Sequence, residues 1–122
     1  MTARLLSVLA CVMLVGTAAA QTPPFDPVGR WRFLHTDGSP FIGRLAADQT
    51  ATSNFGTGER GIWRWEGDAV RMIYTSGWDD LLTRSADGRY LKRAWGPNAD
   101  RCGPPTNSGP AERISTEPGA PL

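Results

Sequence analysis

The chain has 122 residues, with 13 basic and 12 acidic side chains and a formal charge of +1. That length gives one domain, and the near balance of charge argues against a nucleic-acid or anionic-membrane partner. Two cysteines and one histidine leave little material for a zinc site.

The first twenty residues read as a secretory leader. Arg4 supplies the positive start, Leu5 to Val15 the apolar stretch, and Ala18-Ala19-Ala20 a small-residue cleavage site. The apolar run is too short for a stable membrane span. Cleavage after Ala20 predicts a periplasmic or secreted bacterial protein starting at Gln21, with 12 basic residues against 12 acidic once Arg4 is gone. Lys92 is its only lysine, and Cys102 its only cysteine, expected as an unpaired loop thiol or as a link between chains.

Residues 21–27 hold three prolines and Phe25, and read as an extended arm with Phe25 able to tuck against the domain. Val28 to Thr36 is the first predicted strand, with Trp31 and Phe33 on one face and Arg30 and Arg32 on the other. Asp37-Gly38-Ser39-Pro40 turns the chain into Phe41 to Ala47, where Gly43 marks a bulge or a close approach to a bulky neighbour. Thr50 to Phe55 is a more polar strand, followed by a loop over Gly56 to Arg60.

Gly61 to Leu82 carries three of the five tryptophans and reads as three antiparallel strands. A two-residue loop at Gly67-Asp68 places Trp65 opposite Val70 and Trp63 opposite Met72, so both indoles share an inner face while Arg64 and Arg71 meet solvent. A second two-residue loop at Ser76-Gly77 would place Tyr74 opposite Asp79 and Met72 opposite Leu81. This turns Asp79 and Leu81 inward, and Trp78 and Asp80 outward.

At Ala86-Asp87-Gly88 two registers compete. A three-residue loop with Gly88 left-handed puts Leu91, Arg93 and Trp95 on the Leu81 face, and is preferred because it leaves Lys92 in water. From Gly96 onward, six prolines and four glycines in 27 residues erase any period. Residues 97–122 therefore read as a Pro/Gly-rich tail, a strap or disordered. The fold class is all-β: a small antiparallel up-and-down barrel of about seven to eight strands over residues 28–96. The expected interior is Trp31, Phe33, Leu45, Trp63, Trp65, Val70, Met72, Leu81, Leu91 and Trp95.

Gly29-Arg30-Trp31 at the head of a strand meander resembles the start of the calycin barrels, which include the lipocalins, the avidins and small bacterial metalloprotease inhibitors. The resemblance implies that Trp31 packs under an arginine from near the end of the barrel, a place Arg93 would fill. The chain departs from the inhibitors in lacking a second mature cysteine for their disulfide. It departs from lipocalins in length and in showing neither an eighth strand nor a terminal helix.

The tryptophans at 31, 63, 65 and 95 either line a ligand cavity or fill the barrel; so few strands leave an interior that side chains can fill. The candidate ligand-binding residues are Tyr74, Trp78, Asp79, Asp80 and Arg93, with Asp79, Tyr74 and Arg93 forming a polar cluster at one barrel end. Asp79 and Asp80 alternate in face, so they do not share one ion; no metal, cofactor or catalytic residue is assigned. His35 has no nucleophile motif to serve.

Two functions follow. One is a non-enzymatic exported binding module for a small molecule or glycan at one end of the barrel. The other is a protein-interaction domain, a hydrolase inhibitor or accessory subunit, using the N-terminal arm, Trp78 and the tail. A small hydrolase using Asp79 or Asp80 is a third class.

Overall fold

In the computed structural model, residues 24–122 are described. The predicted leader and residues 21–23 of the predicted arm lie outside them. Eight strands run β1 (Gly29–Leu34), β2 (Pro40–Leu45), β3 (Thr50–Ser53), β4 (Glu59–Glu66), β5 (Ala69–Tyr74), β6 (Asp79–Arg84), β7 (Tyr90–Trp95) and β8 (Asn107–Ser115). Each pairs antiparallel with its neighbour in sequence, and β8 pairs with β1, so the sheet closes into a barrel.

The tail read as a strap or disordered thus supplies the eighth strand, and the barrel extends well past residue 96. Along β8 the side chains of Asn107, Gly109, Ala111 and Arg113 alternate with more exposed neighbours. The inward positions are mostly small because β8 faces bulky aromatics across the barrel; small-against-large alternation fills a narrow interior. Beyond β8 the chain crosses the outside of β1 and β2. Arg30 donates to the carbonyls of Pro118 and Ala120, and Arg44 to that of Gly119.

The β4–β5 hairpin has the expected register, from Glu66 opposite Ala69 to Ile62 opposite Ile73. Gly67 supplies the positive φ, 62°, that a two-residue loop requires. Trp63 is buried and donates its indole N–H to the Ala46 carbonyl at 2.7 Å. Trp65 packs against the core while Arg64 is exposed.

The β5–β6 hairpin differs from expectation by one residue. Thr75, Ser76 and Gly77 form a three-residue loop, closed by the Tyr74 N–H donating to the Trp78 carbonyl at 3.0 Å, with Gly77 at φ 102°. Ile73 therefore faces Asp79, Met72 faces Asp80 and Val70 faces Leu82. A one-residue slip reverses every side chain of a strand. Asp80 and Leu82 point into the barrel, and Asp79 and Leu81 point out.

At β6–β7 the three-residue loop ending in Gly88 is present, and Leu91, Arg93 and Trp95 do face Thr83, Leu81 and Asp79. That shared face is the outer one, because β6 has turned over. Lys92, expected in water, is 3% exposed, whereas Leu91, expected inside, is 40% exposed. Either register buries one of the two adjacent aspartates. Either register likewise buries one of the two adjacent leucines; the observed one gives the buried aspartate Lys92 as its partner, at 3.5 Å.

The interior is filled by Trp31, Phe33, Leu45, Val70, Met72 and Leu82, all fully buried. Phe33 lies over Gly43, where a methyl group would overlap its ring edge, so the glycine marks a close approach. Phe25 seals one end of the barrel, meeting Trp31, Trp65 and Tyr90 edge-on at centroid distances of 6.2, 5.4 and 5.3 Å. A second apolar cluster of Ala69, Leu81 and Trp95 lies outside the barrel. The β7–β8 loop covers it: Arg101 lies 4.2 Å from the Trp95 ring centroid, and the Trp95 indole donates to the Gly103 carbonyl. Cys102 in this loop, read from the sequence as an unpaired thiol, is not a free thiol.

Candidate ligand site at the mouth of the barrel

The hairpin turns β1–β2, β3–β4 and β5–β6 and the β7–β8 loop gather at the end opposite Phe25. Here the closed sheet opens into a small pocket. Its walls are Phe41, Phe55, Trp78 and His35, and its floor is made by Lys92, Asp80 and Glu59. The His35 ring stacks on Phe55 at 4.6 Å and 20°; Phe41 tilts against Phe55 at 5.4 Å, and Trp78 meets it edge-on at 6.2 Å. The free space is about 20 Å³, room for one water-sized group.

Chemistry is concentrated at the floor. Lys92 Nζ lies 3.5 Å from Asp80 Oδ2. The same ammonium sits 4.6 and 5.0 Å from the ring centroids of Phe41 and Phe33, so aromatic faces solvate it as well. Asp80 is 3% exposed, and its Oδ1 has no hydrogen-bond partner among the described residues. Burial pushes the Asp80 carboxyl up to about 6; Lys92 pulls it down and the Glu59 charge adds to the rise. Glu59 is held in place from both sides, accepting from Ser53 Oγ at 2.8 Å and Ser76 Oγ at 2.6 Å. Tyr74 lies deeper, with its hydroxyl 3.8 Å from Met72 Sδ; burial first, then Asp80 and Glu59, hold its phenol well above the usual range.

The five residues singled out from the sequence divide into two groups. Tyr74, Asp80 and Trp78 belong to the interior and its mouth. Trp78, expected on the outer face, is instead partly buried against the core and lines the pocket. Asp79, expected inside, lies on the outer face, chelated by Arg71 and joined at 3.4 Å by Arg101, which also reaches Glu66 at 2.9 Å. Arg93 is outside too, opposite Leu81, with its Nε buried and without a partner among the described residues. The predicted cluster of Asp79, Tyr74 and Arg93 does not form, because β6 and β7 are turned over relative to the expected faces.

Sequence reasoning missed Lys92, Glu59, Phe41, Phe55 and His35 as neighbours. One signal was available: a lone lysine among arginines marks a position where a compact ammonium is needed rather than a planar fork.

A wider groove of about 700 Å³ crosses the outside of β3 and β4 beside Pro121 and Leu122. Its charged residues are of both signs, Arg44 and Arg60 with Asp48 and Glu59. No group of His, Cys, Asp and Glu among the described residues is placed to hold a metal ion.

No protein-family model matches the chain, and no curated protein or solved structure is detectably similar to it.

Proposed function

We propose that this protein is an exported, non-enzymatic binding module that takes one end of a small molecule or glycan at the mouth of its barrel. The observation that carries the reading is Asp80 Oδ1, a buried acceptor without a partner at the foot of an aromatic-walled opening. A buried acceptor left unsatisfied costs about 1–3 kcal/mol, which a ligand donor would recover. The aromatic walls suit the apolar face of a sugar or another flat group. Export rests on the leader-like segment ending at Ala20.

The calycin-like reading gains support from Arg113, which lies 4.4 Å from the Trp31 ring centroid. This is the arginine-over-tryptophan arrangement that the Gly-x-Trp resemblance implies, made from β8 rather than by Arg93. A protein-interaction role through the arm, Trp78 and the tail is weaker. Phe25 is built into the core, and much of the tail is spent on β8.

The test is a titration of the mature protein with monosaccharides, disaccharides and small amphiphiles, followed by amide chemical shifts. Saturable shifts centred on Trp78, Asp80 and Lys92 are expected. Shifts confined to the outer groove around Arg44 and Ile62, or none, would refute the reading.

A further inference from the structure

The electrostatics of the floor narrow the ligand class, and the argument rests on the mouth being the binding site. Three ionisable side chains define it: Asp80 from β6, Glu59 from β4 and Lys92 from β7. Two are acids and one is a base, so the floor carries one excess negative charge when all are ionised. That excess sits in a space only about 20 Å³ in volume, enclosed by π faces. Aromatic faces attract cations, and the Lys92 ammonium already exploits two of them.

We infer that the group entering the mouth is a primary ammonium carried on the ligand, which donates to Asp80 Oδ1 between the rings of Phe41, Phe55 and Trp78. An ammonium is about the size of a water molecule, so it fits the free space. It supplies the donor that Asp80 Oδ1 lacks among the described residues and neutralises the excess charge of the floor. A carboxylate or phosphate would meet two like charges, Asp80 and Glu59, and only Lys92 would attract it; an ammonium meets one like charge, Lys92, and two opposite ones, so the floor favours the cation. A hydroxyl fills the space and satisfies Asp80, yet leaves the excess charge uncompensated; selectivity for the ammonium over the hydroxyl is therefore the mark of this site.

Binding strengthens as Asp80 ionises. The groups that face Asp80 are Lys92, Glu59 and Tyr74, with Asp79 beside it in sequence and His35 at the rim. Protonation of Asp80 removes the charge nearest the ligand, so binding weakens as pH falls. The Tyr74 phenol, held well above its usual range, stays neutral throughout.

The experiment compares n-butylammonium, n-butanol and n-butyrate at pH 7.5, using indole fluorescence and chemical shifts in the mature protein. The expected result is that n-butylammonium binds at least tenfold more tightly than n-butanol, that n-butyrate does not bind, and that the preference shrinks as pH falls through about 6. Asp80→Asn should remove the preference. Glu59→Gln, at a less buried position, should reduce it severalfold and serves if the first variant does not fold. Equal binding of the ammonium and the alcohol at the mouth overturns the ammonium assignment but leaves the mouth as a site. Tightest binding by n-butyrate also overturns it. If none of the three probes perturbs the mouth, both readings fall.

Discussion

The guanidinium of Arg113 lies over the indole of Trp31 at 4.4 Å from the ring centroid, while its nitrogens donate to the backbone carbonyls of Val28 and Asp26. One side chain on the last strand thus covers the central tryptophan of the first and ties down the segment entering it. Trp31 is fully buried and the guanidinium over it half-buried, so the contact is worth about 0.5–2 kcal/mol. Arg113→Ala should cost about 2–4 kcal/mol in urea denaturation. Arg113→Lys should recover little of it, since an ammonium has no planar fork for both carbonyls and the ring.

Lys92→Met leaves Asp80 buried without its cation. At pH 7.5 this should cost about 3–5 kcal/mol, the usual penalty for removing one half of a buried pair. At pH 4 the loss should be smaller, because Asp80 is then largely neutral. The double variant Asp80→Leu/Lys92→Met should be near neutral, or more stable than the native chain by about 1–4 kcal/mol. Denaturation at the two pH values separates these outcomes; a costly double variant would show that the pair itself stabilises the fold.

Asp80 also sets a pH dependence in the native chain. Its carboxyl is raised from 3.8 to about 6 by folding. Between those values the native state binds the proton that the unfolded chain has lost, so stability falls as pH rises through the window, by roughly 3 kcal/mol in all. Asp37, Asp48 and Asp87 are lowered by hydrogen bonds, first from the side chains of Ser39, Thr50 and Ser85 respectively, and work in the opposite sense as the medium becomes acid. Carboxyl-carbon chemical shifts of Asp80 against pH would isolate its share. A midpoint near 4 would refute the assignment.

Gly43→Ala pushes a methyl group into the Phe33 ring edge. Overpacking of this kind typically costs about 1–3 kcal/mol. Pairing it with Phe33→Leu should return part of that loss as a coupling energy, measured by a double-mutant cycle. Strict additivity of the two substitutions would show that the ring swings away at no cost.

How far the sequence could be read depended on local ambiguity. The β4–β5 hairpin was legible because Trp63, Arg64 and Trp65 alternate around a turn whose glycine can sit only at one place. Asp79-Asp80-Leu81-Leu82 offers no such contrast. Each face receives one acid and one leucine in either register, so the difference between a two- and a three-residue loop at Gly77 went unseen. That single step displaced the faces of both β6 and β7, and with them Asp79, Arg93 and Lys92. β8 was illegible for another reason. Its inward residues Asn107, Gly109, Ala111 and Arg113 do not resemble a core face, and Pro110 argues against a strand on composition alone. The pocket could not be seen from the sequence because its lining comes from six separate stretches of chain.

The pairing of β8 with β1 joins residues about 85 positions apart. Without β8, Gly29–Leu34 and Tyr90–Trp95 each offer a bare row of amide and carbonyl groups, the kind of rim along which neighbouring molecules stack into aggregates. A chain shortened before Asn107 would keep all its large aromatics and still lose solubility. Ring completion by an unassuming nonapeptide is therefore what leaves the sheet with no free rim.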